Sequence, residues 1–464
     1  MTTQSSQPPS TTASPETPEA LPAALRQAPS SEGLPFRKMV LWVLGAVMIA
    51  APTVTLPDEG IWLGVKSFAV QAAGILLAVF VVSRGDWTRE RVQAAVLAAP
   101  NLLILAFLVW IGISAAQSEL PRYSRAEAFR HLGGGLVYFG VLYGVGQRRD
   151  LHRFVGILQI AASLGAILAF GNALVEGSVL PAGAFRDKQL FAAFLCLLFP
   201  VTLAAALAEE EMWRRVAGQI PVILAAAGIL VTNNRSAWAA AAVSGLLLFG
   251  LWLRYRRASR GLKLQKHQLA FPLVLVGASL ALFLVVAQAG GSLTDRAATL
   301  PAGVKDQAVQ GRLTIWRAAL KMAQDRPILG WGVGTFPIQQ ALYNPGSREQ
   351  IVIVRSGSTL AENAHNTYLQ LLAELGFPGL ALYLGIFVAF FVTAWRSIAS
   401  GRRGYRQAIV IGAMAGVAAQ MVSGIWNPAW EFAECSLFLW AVLGLGMAAA
   451  GVAERGNGAA VARA

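Results

Sequence analysis

Three features make this chain an all-α polytopic membrane protein. Of its 464 residues, 56% are hydrophobic and only 13% charged, about half the charge share of a soluble domain. Mean hydropathy is +0.55, and apolar runs long enough to cross a bilayer recur along most of the chain. Lysine and arginine fall mostly on one side of the resulting map, as the positive-inside rule requires.

Taken in order, residues 1–36 come first. They are rich in Ser, Thr, Pro and Ala without periodicity, and read as a disordered cytoplasmic tail. No basic region leads into a short apolar core with a cleavage site, so the tail is not read as a signal peptide. Residues 37–290 hold nine expected transmembrane helices, near 39–56, 61–82, 94–116, 132–147, 154–175, 188–208, 216–232, 236–253 and 269–290. The fourth is short and glycine-rich, "LGGGLVYFGVLYGVG". Residues 291–375 form the one large loop, expected to be periplasmic and to contain amphipathic helices. Spans ten to twelve follow within 376–452, near 376–395, 407–425 and 433–452, and 453–464 is a second cytoplasmic tail. Cys196 and Cys435 lie in or beside apolar segments and read as packing residues.

With the N-terminus cytoplasmic, that side holds 23 of the 38 Lys and Arg residues, the short loops of the other face six, and the long loop eight. The net charge of +14 therefore reflects topology and anionic membrane lipids, not nucleic acid. Several cations break the pattern. Arg122, Arg125, Arg130, Arg186, Lys188 and Arg235 map to outer-face loops, Arg186 and Lys188 in "GAFRDKQLF" and Arg235 in "TNNRSAW". A single arginine there is commonly one that snorkels to headgroups. Several on one face argue for an anionic ligand.

In the long loop, "GRLTIWRAALKMAQDRP" reads as an amphipathic helix ended by Pro327. Leu313, Ile315, Trp316, Ala319, Leu320, Met322 and Ala323 form its apolar face, with Arg312 at the centre of that face. A charge there is costly without a partner, so the guanidinium is expected to point at a buried anion. The following "PILGWGVGTF" suits tight turns. Next, "AENAHNTYLQLLAELGFPG" sets His365 ahead of an apolar run, with Asn363 or Asn366 available as a helix cap. His131 and His365 are the two of the four histidines that map to the outer face.

Absences narrow the chemistry. There is no G-x-x-x-x-G-K-[ST], no Asp-x-Asp, no H-E-x-x-H and no C-x-x-C. A metal-free reaction of an energised, membrane-delivered substrate suits this inventory, with no cofactor.

The run "GRLTIWRAALKMAQDRPILGWGVGTF" followed by "AHNTYLQLLAELGFPGLALYL", with "GAFRDKQLFAAFL" and "TNNRSAWAA" upstream, resembles the shared domain of bacterial O-antigen ligases and O-antigen polymerases over about residues 180–396. The family is similar to membrane glycosyltransferases of the C-type fold. The resemblance implies transfer of a glycan from undecaprenyl diphosphate to an acceptor hydroxyl at the periplasmic face of the bacterial inner membrane. In a ligase the acceptor is a sugar of lipid A-core, which completes lipopolysaccharide. On this reading Arg186, Arg235 and Arg312 hold the diphosphate, since arginine neutralises a phosphate leaving group bidentately without a metal. His365 is the general base on the acceptor hydroxyl, with inversion at the anomeric carbon, or else a hydrogen-bonding group that orients the acceptor. Asn366, Trp316 and Lys188 support them. An O-antigen polymerase or a protein-glycosylating transferase fits the same motifs. A lipid-linked glycan flippase is the alternative of a different class, and would carry ionisable groups near the bilayer midplane.

Overall fold

The computed structural model describes residues 34–54, 68–69, 71–76, 79, 98–145, 147–176, 185, 187–232, 234–257, 307–343, 363–400 and 404–452. The N-terminal tail up to residue 33, most of the expected span 61–82, the ninth span 269–290, Arg186, the rest of the long loop and the C-terminal tail lie outside them.

The described residues are helical, with no strand among them. In chain order the helices are α1 (Leu34–Ala50), α2 (Ala99–Ala116), α3 (Pro121–Gly144), α4 (Arg148–Glu176), α5 (Lys188–Ala208), α6 (Met212–Ala217), α7 (Gln219–Val231), α8 (Arg235–Arg257), α9 (Gln307–Asp325), α10 (Phe336–Tyr343), α11 (Thr367–Ala399), α12 (Tyr405–Ser423) and α13 (Ala433–Ala449). Six stretches are long and apolar enough to cross a membrane: Ala99–Ala116, Arg148–Asn172, Lys188–Ala208, Met212–Val231, Arg235–Tyr255 and Thr367–Ala399. The chain is a helical, multi-pass membrane protein.

The bundle is built around α5, whose apolar sequence is buried almost throughout. It packs on α12, which in turn touches α8, α11 and α13, while α13 packs on α3 and α11 on α2. Small residues set the α5–α12 distance. A Cβ on Gly416 would meet the Leu197 carbonyl oxygen at 2.3 Å, and one on Gly412 the Pro200 carbonyl oxygen at 2.9 Å. This G-x-x-x-G spacing lets two backbones touch where no hydrophobic effect drives helices together in lipid.

Two segments differ from the sequence reading. Pro121 starts α3 ahead of the expected fourth span, so Arg122, Arg125, Arg130 and His131 are helical residues and not loop residues. Arg130 and His131 also face inward. Arg130 pairs with Glu127 and donates to the Trp430 carbonyl at 3.0 Å, and His131 is fully buried and stacked on Trp430 with ring centroids 3.9 Å apart. Second, α11 begins at Thr367, well before residue 376, and runs through a break at Gly376 (φ 67°, ψ −175°).

At that break the helix cannot continue its own ladder, and the freed groups find partners elsewhere. The Phe377 N–H donates to the Pro327 carbonyl at 2.8 Å. The carbonyls of Ala373 and Glu374 accept from the N–H groups of Trp331 and Gly332, each at 3.0 Å. Trp110 and Ser114 of α2 donate to the carbonyls of Leu375 and Glu374, at 2.9 and 3.2 Å. The Glu374 carboxylate accepts the N–H groups of Gly334 and Phe336, both at 2.9 Å. Irregular backbone inside a membrane bundle survives only when satisfied in this way. The turn "GWGVGTF" is therefore the plug of a broken helix, with positive φ at Gly330, Gly332 and Gly334.

A Cβ at Gly376 would sit 2.1 Å from the Ile328 carbonyl oxygen, in a left-handed conformation. Gly376→Ala should therefore cost at least about 1–3 kcal/mol and lower the unfolding temperature of the purified protein. Gly156→Ala, where a Cβ meets nothing within 4 Å, should leave it unchanged or slightly raised. Equal melting of both variants would mean that the break is dispensable.

Candidate active site

Of the residues singled out in the sequence, Arg312, Trp316, His365 and Asn366 come together through one short segment, 363–367, at the entry to α11. Asn366 is the helix cap: its side chain accepts the Leu369 N–H at 2.9 Å. Asn363 makes a different contact, accepting the N–H of His365 at 3.0 Å. That turn helps hold His365 at φ 46°, the one non-glycine residue of positive φ among those described. Such a conformation is strained for histidine and persists where its surroundings impose it, as functional sites do.

The surroundings come from three helices. Trp316 of α9 donates its indole N–H to the Ala364 carbonyl at 3.0 Å. Gln370 accepts the Ala364 N–H at 3.0 Å and reaches Glu374 at 3.3 Å. Thr367 donates through its N–H to the Gly424 carbonyl at 2.8 Å and through its hydroxyl to the Asn427 carbonyl at 2.9 Å. Beneath α9, Ile315, Ala319, Met322, Phe336, Ala364 and Ala373 form a small separate core. The apolar face of α9 is the expected one with an exchange: Ala318 is buried, whereas Leu320 is exposed.

Arg312 is half-buried on α9 and lies close enough to His365 to act on its charge. Burial, then the Arg312 guanidinium, hold the His365 imidazole below the usual histidine value of 6.5, while Asp187 opposes them. The side chain is half-buried, and Nδ1 is buried with no hydrogen-bond partner among the described residues. Asp187 was not singled out in the sequence, although it precedes an apolar run as helix caps do. It accepts the Gln189 N–H at 2.7 Å and caps α5, so the start of α5 with half-buried Lys188 faces the same place.

Arg235 opens α8 and is exposed. Its neighbour Ser236 lies 3.4 Å from the Asn427 amide nitrogen, which also donates to Ser423 at 2.9 Å. Asn427 thus joins the start of α8 to the start of α11. It is fully buried, and its side-chain oxygen has no hydrogen-bond partner among the described residues. The "WNPAW" turn could have flagged this asparagine only as a turn residue. The starts of α5, α8 and α11 therefore share one end of the bundle. Their N-terminal dipoles and the cations Arg312, Arg235 and Lys188 make that end favourable for an anion. Arg186 lies outside the described residues.

Replacing Asn366 by alanine should cost about 1 kcal/mol through the lost cap, whereas Asn366→Asp should retain most of it. Thermal unfolding of both variants reads this directly. No loss with alanine would remove the capping role.

With the geometry in view, comparison with known proteins is informative. Residues 220–384 match a family model described as O-antigen ligase. The exopolysaccharide production protein ExoQ of Rhizobium meliloti (strain 1021) is 26% identical over 240 residues, 51% of this chain and 52% of that protein. The chain thus matches about half the length of this curated relative. The family match runs from α7 into α11 and takes in Arg235, Arg312, Trp316, His365 and Asn366: the chain carries an O-antigen ligase family domain.

Proposed function

We propose that this protein is a glycosyltransferase that moves a glycan from undecaprenyl diphosphate to a hydroxyl acceptor at the membrane surface. The observation that carries the reading is the pairing of a strained, half-buried imidazole with the Arg312 guanidinium beside it. A cation next to the imidazole favours its neutral form, which is the form that accepts a proton. The same cation is available to a diphosphate.

The chemistry balances without further groups. The acceptor oxygen attacks the anomeric carbon as its proton passes to His365. The bond from that carbon to the diphosphate oxygen breaks with inversion, and undecaprenyl diphosphate leaves with the bonding pair. Arg312, Arg235 and Lys188, together with Arg186 of the same sequence motif as Lys188, neutralise the charge that develops on the leaving group. Asn366 and Trp316 hold the histidine segment. A flippase reading is less favoured, because a substrate that only crosses the bilayer gives no use to a neutral base held in strain.

At the finer level the protein acts as an O-antigen ligase in the bacterial inner membrane. It has twelve spans, cytoplasmic termini and a periplasmic site, and its acceptor is a sugar of lipid A-core. A second reading, favoured by the name of its relative, is chain extension of a lipid-linked polysaccharide by the same chemistry.

His365→Ala should lower transfer roughly 10²–10⁴-fold, as loss of a general base does, while binding of the lipid diphosphate persists. Arg312→Ala should weaken transfer roughly 10²–10³-fold, with poor rescue by lysine, which lacks the bidentate fork. Because the imidazole value is depressed, wild-type activity should hold as pH falls through 6.5 and decline only below it. Robust transfer by His365→Ala, or an acid limb above pH 6.5, would overturn the assignment. The glycolipids of a deletion strain separate the two readings: a bare lipid A-core with long lipid-linked glycan marks a ligase, and a core capped by one repeat marks a polymerase.

A further inference from the structure

Arg125 takes no part in the site described above. It lies on α3, on the face opposite buried Arg130 and His131, at the rim of a cavity of about 320 Å³ between α2 and α3. One wall is a stripe of α2 that includes Leu108, Gly112 and Ala115; the other is a stripe of α3 with Arg125, Phe129 and Leu132. The three- and four-residue spacings put each set on one helix face. Small side chains open the groove: a Cβ built on Gly112 meets nothing within 4 Å.

The groove opens away from the bundle core. Phe129 and Leu132 are 61% and 43% exposed, and α2 is long and apolar enough to cross a membrane. Its exposed surface is therefore hydrocarbon-facing, and its natural occupant is a lipid. The polarity is also that of a lipid. Arg125 stands near the α2–α3 turn, and the apolar walls run from it for about 10 Å along the helix axis. Apart from Arg125 the lining side chains named by the cavity are apolar. One guanidinium suits one phosphate.

We propose that this groove is a bound-lipid site that takes one acyl chain of an anionic glycerophospholipid from the bilayer, with the lipid phosphate at Arg125. The site is separate from the His365 segment and does not depend on the transfer reaction.

The test is retention of phosphatidylglycerol and of phosphatidylcholine with the same acyl chains by the purified full chain, measured by native mass spectrometry. Wild type should keep one phosphatidylglycerol, about tenfold in preference to phosphatidylcholine. Arg125→Gln should abolish that preference, and Gly112→Phe should displace both lipids by filling the groove. Thermal unfolding checks that the variants fold, and Arg125→Gln alters an exposed side chain if Gly112→Phe does not. Equal retention of the two lipids by wild type, or wild-type retention by Arg125→Gln, would overturn the site. So would occupancy by undecaprenyl phosphate that phosphatidylglycerol cannot displace, which would make the groove a channel for an isoprenoid lipid.

Discussion

The break in α11 at Gly376 is the constraint from which the site follows. A helix interrupted inside a bundle leaves donors and acceptors that lipid cannot satisfy, so other segments of the chain must supply partners. Here the turn after α9 supplies them, through Pro327, Trp331, Gly332, Gly334 and Phe336. Docking that turn fixes the C-terminal end of α9. Trp316 fixes its middle by bonding to Ala364. With both anchors made, Arg312 has one place to be, and it is beside His365. The two halves of the motif pattern, one around the glycine–tryptophan run and one around the histidine, are thus a single construction.

The electrostatics of that construction favour a neutral imidazole facing an anion. Burial and Arg312 disfavour protonation of His365, and Asp187 limits how far the shift goes. Asp187 also caps α5, so one carboxylate serves the helix start and the histidine together. The starts of α8 and α11, joined through Asn427 and Thr367, and the start of α5 add the partial positive charge of their helix dipoles without any further cation. A diphosphate bound there would meet oriented dipoles and guanidinium groups that need no rearrangement as charge develops.

Much of this was legible in the sequence because the signals were local. The α9 helix, its end at Pro327 and the cap before the apolar run at 367 follow from periodicity and capping chemistry, and all three are present. His365 and Arg312 were visible as polar residues beside or inside apolar patterns, whereas Trp316 read as one more residue of the apolar face. What could not be read depended on partners distant in the chain. Glu374 looks like a loop or headgroup carboxylate until the turn it holds is known to lie against it. Asn427 gains its meaning only from Ser236 and Thr367. His131 looked like a surface histidine, yet it is buried against Trp430, about three hundred residues along the chain. Leu320 shows the same limit at smaller scale, since a helical wheel does not say how wide the buried stripe is.

The central claim is that Arg312 and burial keep His365 neutral and ready to take a proton. Direct titration of His365 by NMR, with labelled histidine in lipid nanodiscs, tests it most closely. The imidazole should titrate below 6.5 in wild type and move upward in Arg312→Gln, because removing a nearby cation favours the protonated ring. A wild-type value at or above 6.5, or no upward movement in Arg312→Gln, would contradict the account.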